Sequence, residues 1–171
     1  MSAEQIRIAF DGLKTHFSNH PDEAVVSDSF AVARLTDGLR MTVEGPSGQS
    51  VASDMPKSFG GSGGAPTPGW YMRAGLASCT ATVILLRAAE QSIPVQHLAV
   101  KVESRSNEFG ALGLDDGVPA GPLEVTMTVE IRSEGTSREA LGDLVDWGIA
   151  HSSMADALQR AVPLARAVNI L

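Results

Sequence analysis

The chain has one cysteine, one tyrosine, two tryptophans and five phenylalanines among 171 residues, and its net charge is −7. A single cysteine excludes an intramolecular disulfide. With aromatic residues at 5%, the core has to be built from Ala, Val, Leu, Ile and Met, and single-stranded bases would find no stacking platform. There is no basic run and no arginine-rich helix, and the acidic excess repels nucleic acid and anionic membrane. The longest apolar stretch, residues 74–86, contains Ser, Cys and Thr and is too short to span a bilayer. Met1-Ser2-Ala3-Glu4-Gln5 lacks the basic-then-apolar order of a secretory leader. A reducing cytoplasm is the expected location, with neither nucleic acid nor membrane as partner.

What the chain does have is an ordered series of periodic segments. Its length fits a single domain, residues 1–171, with a real core. Ile6, Phe10, Leu13 and Phe17 recur at helical spacing, which predicts an N-terminal helix over 1–20 ended by Asn19-His20-Pro21. Residues 24–54 read as a strand meander. Ala31, Ala33 and Leu35 alternate, as do Leu39, Met41 and Val43, with Asp37-Gly38 as the hairpin signal between them. Gly45-Pro46-Ser47-Gly48 is a second turn, leading to a third strand at Gln49–Ser53. The Gly- and Ser-rich stretch 56–68 is a loop.

Thr67 as N-cap and Pro68 at the first helical position open a long helix, over 67–92. It is apolar around most of its circumference, which predicts a buried helix. Ile93-Pro94 ends it. Two alternating strands fill 96–133: Leu98, Val100 and Val102 share one face, and Leu123, Val125, Met127, Val129 and Ile131 share another. The long loop between them, Asn107 to Pro122, has the length of a functional or mobile segment. Thr136-Ser137-Arg138-Glu139 reads as a capping box opening a further helix. A break at His151-Ser152-Ser153 precedes a short helix, and 161–171 reads as a last strand, with Pro163 confining it to an edge or a bulge. The fold class is α+β, without the alternation of a parallel-sheet fold.

Cys79 is the first candidate for chemistry. A thiol reacts as thiolate and needs a neighbour that lowers its pKa. Thr67 lies twelve residues back, roughly 18 Å along the helix, and the dipole's benefit fades within a turn. Arg73 and Arg87 sit about 120° and 80° away around the axis. Activation therefore requires a side-chain cation or another chain end. The bland alternative is a small buried hydrophobe. His151 could activate the thiol as a Cys–His pair, or simply bond the last carbonyls of its helix. His16 and His20 have metal-competent spacing but no intervening Glu, and a solvated helix end explains them. The Gly60–Gly64 run lacks the Gly-Lys-Ser/Thr of a phosphate loop, and Asp115-Asp116 fits a solvated loop. No cofactor or metal is called for.

Pro68-Gly69-Trp70-Tyr71-Met72-Arg73-Ala74-Gly75-Leu76-Ala77-Ser78-Cys79-Thr80-Ala81 resembles the thiol-bearing central helix of the OsmC/Ohr family of hydroperoxide-reducing proteins. Ala88-Ala89-Glu90-Gln91-Ser92-Ile93-Pro94-Val95 is similar to that family's helix end and strand entry. The order and spacing of the elements carry the resemblance over roughly residues 25–170. It implies an intertwined homodimer in which central buried helices are wrapped by antiparallel sheets, here with an extra N-terminal helix. It also implies a peroxidatic role for Cys79 and a site at the dimer interface.

The remaining family positions depart from the pattern. The resolving-cysteine position falls on Ser152, which cannot form a disulfide. The glutamate position falls on Gly69 or Trp70, and the nearest basic residue to the family's loop arginine is Lys57, which is no equivalent of a forked guanidinium. Phe59, Trp70 and Tyr71 are the expected apolar lining beside Cys79. Two readings stay open. One is a one-cysteine reductase of organic hydroperoxides that draws on an external thiol. The other is a non-catalytic dimer holding an apolar small molecule.

Overall fold

A computed structural model describes residues 2–171. The N-terminal helix α1 spans Ala3–Asn19. The Ser2 hydroxyl accepts from the Gln5 backbone N–H (3.2 Å), and the Gln5 side chain accepts from Ser2 N (2.8 Å). This reciprocal pair is a capping box that the sequence reading passed over. Next come the strands β1 (Val32–Asp37), β2 (Arg40–Glu44) and β3 (Ser50–Ser53), the helix α2 (Pro68–Glu90) and the strand β4 (His97–Arg105). The chain ends with α3 (Glu108–Ala111), β5 (Glu124–Arg132), α4 (Arg138–Ala150) and α5 (Ser153–Gln159). Helices and antiparallel sheets make this an α+β protein.

The chain divides into two compact units. One is formed by residues 8–75 and carries the antiparallel sheet β1-β2-β3. Asp37 pairs with Arg40, so the first hairpin turns on Gly38-Leu39, one residue later than the Asp-Gly signal suggested, and the register shifts between Leu35 and Asp37. Gly38 carries a φ of +54°, a conformation that glycine adopts without steric cost.

Beyond β3 the loop is tied down by Asp54, which is almost fully buried. Its carboxylate accepts from the Ser62 hydroxyl and from the backbone N–H groups of Gly64 and Met55. Led by the Ser62 bond and then the Gly64 bond, these interactions outweigh burial and hold its pKa down to about 2 from 3.8. Residues 56–64, which looked structureless, are thus wound around a buried anion, with a single 3-10 turn at Lys57–Phe59.

The other unit contains residues 2–7 and 76–171. Here β4 and β5 pair antiparallel from His97↔Arg132 to Arg105↔Glu124. The core is Ile84, Ala88 and Leu144, packed against Leu98, Val100, Val129 and Ile131 on the sheet and Leu141 and Val145 on α4. The expected alternation packs at Leu98, Val100, Val129 and Ile131, whereas Leu123 and Val125, expected on the same face, are exposed because the core ends before them. α4 begins at Ser137, whose hydroxyl accepts from Ala140 N (3.1 Å). The Thr136 hydroxyl turns instead to Ser133 (2.8 Å), so the expected Thr136–Glu139 capping box is not formed.

Helix α2 opens as expected, with the Thr67 hydroxyl accepting from Trp70 N (3.2 Å). It closes with Ile93 N bonded back to the Ala88 carbonyl and with Ser92 in the left-handed region at φ +56°, the geometry of a Schellman end. Two expectations about this helix are corrected. It is not buried all round: Leu76, Thr80, Ile84, Ala88 and Ala89 are buried, whereas Trp70, Ser78, Thr82 and Leu85 are exposed. One chain supplies cover for only one stripe. The helix, over its full length Pro68–Glu90, is also long and apolar enough to cross a bilayer. A core helix of a soluble protein passes the same test.

The predicted last strand is absent. The described residues 161–171 carry no strand, and Leu164, Ile170 and Leu171 are almost wholly exposed. A strand needs a ladder partner, and within one chain this segment pairs with neither sheet.

Gly148 is where α4 meets α2. A Cβ there would collide with Ile84 Cγ1 and lie 3.2 Å from Ile84 Cα. Gly148→Ala therefore overpacks the core and lowers stability by about 1–3 kcal/mol, measured by urea denaturation. At Asp54 the lowered carboxyl contributes stability that is fully present above pH 3.8 and is lost as the pH falls through about 2. Asp54→Asn accordingly melts lower than the parent at neutral pH, and thermal scans show the difference closing across that acid window.

Candidate functional site

The contact between Ile84 and Gly148 sets an antiparallel register between α2 and the α4–α5 segment. Moving back along α2 and forward along its neighbour, Thr80 meets Ser152 and Cys79 meets Ser153. The thiol expected to need another chain end has one, because α5 starts beside it.

Ser152 is the N-cap of α5. Its backbone is extended (φ −76°, ψ 114°) and its hydroxyl accepts from Ala155 N at 3.4 Å. A helix N-cap of this kind satisfies one of the orphan N–H groups of the first turn. Ser152 is fully buried, as is Thr80, whose hydroxyl donates to Ser152 Oγ at 3.1 Å. Cys79 Sγ lies 3.5 Å from Ser153 Oγ and is half-buried.

Burial pushes the Cys79 thiol up. Four hydrogen bonds to sulfur outweigh it: the Ser152 side chain, the Met154 N–H, the Ser153 side chain and the Ser153 N–H. The net result is a thiol below its ordinary pKa. Every group that lowers it is neutral. Hydrogen bonding to the charged form, one of the three ways a protein moves a pKa, does the work here. Such a sulfur has the low-pKa, partly accessible setting of a reactive cysteine.

The other residues singled out from sequence fall as follows. The His151 Nδ1 donates to the Trp147 carbonyl (2.8 Å), and its ring stacks on the Trp147 indole at 3.9 Å and 14°. Arg87 pairs with Glu90 and lies 4.8 Å from the Trp147 ring. Ser152, at the position expected for a resolving cysteine, is the N-cap of α5 and accepts from the Thr80 hydroxyl. Lys57 and Phe59 lie in the 3-10 turn of the other unit. In that unit Trp70 is exposed with its ring edge-on to Tyr71, whose hydroxyl donates to the Ala52 carbonyl at 2.8 Å.

An apolar cavity of about 530 Å³ opens in the unit that holds Cys79. Leu76, Leu123, Val125, Met127, Ile149 and Leu158 line it, and Leu76 stands three residues before Cys79 on α2. Thr80 and the N–H groups of Ser153 and Met154 were missed in the sequence. The signal for the latter was present: a serine at a helix break is an N-cap signature, and a new helix start brings free N–H groups with it.

Residues 61–165 match the OsmC-like protein family. A search among curated proteins finds no match. Among solved structures, the OsmC-like protein of Mycoplasma pneumoniae is similar, with a TM-score of 0.67 and 20% identity over 79% of this chain and 89% of that one. An organic hydroperoxide resistance protein OsmC from Legionella pneumophila gives a TM-score of 0.58 at 20% identity, covering 79% and 91%. The organic hydroperoxide resistance protein OhrB of Bacillus subtilis gives 0.53 at 19%, covering 79% and 93%. At these identities the likeness is one of fold.

A thiol held below its ordinary value reaches half-ionisation early. The rate of Cys79 alkylation by iodoacetamide is expected to rise with a midpoint below that of an unperturbed cysteine. Ser152→Ala moves that midpoint upward, and also lowers stability by roughly 0.5–2 kcal/mol through loss of the cap. A midpoint unchanged in the variant would exclude Ser152 as a donor to sulfur.

Proposed function

Since this chain belongs to the OsmC-like protein family, we propose that it is a dimeric reductase of organic hydroperoxides that works through Cys79 and an external thiol. The observation that carries this reading is the half-buried Cys79 sulfur, which accepts hydrogen bonds at the start of α5. Fold similarity to two organic hydroperoxide resistance proteins supports it.

The chemistry needs few parts. The Cys79 thiolate attacks the terminal oxygen of the hydroperoxide, the O–O bond breaks, and the alkoxide leaves and takes up a proton as the alcohol. Sulfur is oxidised and holds the transferred oxygen as a sulfenic acid. Serine at position 152 cannot condense with it. An incoming thiol therefore displaces water to give a mixed disulfide, and a second thiol releases Cys79 and leaves as the oxidised disulfide. The donors of Ser152, Ser153 and Met154 stabilise the thiolate before attack.

The dimer in this reading follows from what a single chain leaves open. Leu85 on α2 and Leu164, Val168 and Ile170 in the tail are exposed apolar side chains, and a second copy of the chain would remove them from water. The expected cytoplasmic location belongs to the same reading.

A second reading has its own supporting observation, the apolar cavity beside Leu76. On that reading the protein binds an apolar small molecule without turning it over. Steady-state consumption of cumene hydroperoxide with dithiothreitol separates the two. The proposal expects turnover in the parent protein and a fall to the uncatalysed rate in Cys79→Ser. Turnover that survives Cys79→Ser refutes the thiol mechanism. Saturable ligand retention without peroxide loss favours the binding reading.

A further inference from the structure

We propose that His151 is a positioning residue: stacked on Trp147, it clasps the break between α4 and α5 so that the Ser153 hydroxyl is seated on the Cys79 sulfur. This rests on the proposed role of Cys79 as the working thiol.

The break is short. His151 leaves the helical region at φ −107° and ψ 6°, Ser152 is extended, and α5 resumes at Ser153. The backbone holds the break with a bond from His151 N to the Trp147 carbonyl (3.1 Å) and a longer one from Ser152 N to the Ile149 carbonyl (3.3 Å). A helix of seven residues is too short to be stable in isolation, so α5 takes its place from its neighbours. Ser153 is its first residue, and the Ser153 hydroxyl stands 3.5 Å from Cys79 Sγ. A thiolate has no proton, so in the reactive state that hydroxyl is the donor. The conformation of His151 and Ser152 therefore sets whether the donor reaches the sulfur.

The His151 side chain adds two restraints to the break. Its Nδ1 lies 2.8 Å from the Trp147 carbonyl, and a carbonyl only accepts, so Nδ1 carries the proton. The imidazole also lies flat on the indole, at 3.9 Å and 14° between planes, a stacked contact. Trp147 is held in turn from α2, where the Arg87 guanidinium lies 4.8 Å from the indole ring and is tied to Glu90. Arg87 is about two turns beyond Cys79 on that helix. Thr80, also on α2, grips the break at Ser152 with a bond of 3.1 Å. The break is thus fixed to the thiol's own helix at both of its residues, at His151 through Trp147 and at Ser152 directly. The imidazole spends its Nδ1 proton on the carbonyl, so it acts on the sulfur through the backbone that follows it.

The test is the pH profile of Cys79 alkylation by iodoacetamide in the full-length protein. The parent is compared with His151→Ala, His151→Phe, Trp147→Leu, Ser153→Ala and the His151→Ala/Ser153→Ala double variant. A hydrogen bond to the charged form lowers a pKa, so loosening the break in His151→Ala is expected to move the midpoint upward, as Ser153→Ala does. Trp147→Leu, which keeps the imidazole but removes its seat, moves it the same way. His151→Phe, which returns a flat ring to the indole, recovers part of the shift. In the Ser153→Ala background, His151→Ala has a smaller effect than in the parent. An unchanged midpoint in His151→Ala overturns the inference, and so does an equal shift with and without the Ser153 hydroxyl. A Trp147→Leu midpoint at the parent value overturns it too, because His151 would then act as a through-space charge. Should the leucine variant fail to fold, the His151 ring-proton resonance of the parent replaces it: an upfield shift from the indole supports the clasp, and a random-coil position overturns it. Hydroperoxide turnover is a separate readout. A protein that titrates as described but reduces no peroxide would defeat the proposed function and leave the clasp standing.

Discussion

The site depends on one close approach, that of α4 to α2 at Gly148. Only a residue without a side chain lets the backbone of α4 come within contact of Ile84. Once that contact is made, the antiparallel register is fixed, and the positions pair off as Ile84 with Gly148, Thr80 with Ser152, and Cys79 with Ser153. The same contact anchors the core of this unit, since Ile84, Ala88 and Leu144 are its buried centre. Packing and chemistry are therefore set by the same helix pair. A side chain at position 148 pushes on the core and on the distance from sulfur to its donors together.

At the far end of that register, the groups that lower the Cys79 pKa are neutral. A charged partner acts over distance but carries its own desolvation cost when half-buried. Hydroxyl and backbone donors carry a smaller one and act only at contact. Farther along α2, Arg87 and Glu90 are paired with each other. Ser152 serves twice, as the cap that starts α5 and as the partner of Thr80 across the helix pair. In the proposed function, the residue that leaves the cycle without an internal disulfide is also the cap of the helix that starts beside the thiol.

Much of the fold was legible because period and punctuation agreed. Thr67-Pro68 opened α2, Pro94 followed its end, and the alternation of Leu98 with Val100 and of Val129 with Ile131 named the faces that pack. What was not legible turned on long-range partners. Thr136 looked like a cap until Ser133 took its hydroxyl. The segment 161–171 has strand-like residues but no ladder in this chain to join. Helix α2 looked apolar all round because sequence records how apolar a face is and not which neighbour covers it. At the site, Cys79 and the position of Ser152 were readable. That Ser152 caps α5 and that Thr80 feeds it depended on the register between two helices distant in sequence. Asp54 likewise reads as an ordinary polar residue until the loop closes over it.

The proposed function turns on one sulfur atom, that of Cys79 beside the start of α5. Intact-protein mass spectrometry after brief exposure to cumene hydroperoxide, with a sulfenic-acid trap present, addresses that atom directly. The account predicts that the trap adds once per chain, at Cys79, and that a small thiol given before the trap prevents it. A chain recovered unmodified after hydroperoxide treatment, while iodoacetamide still labels Cys79, would contradict it.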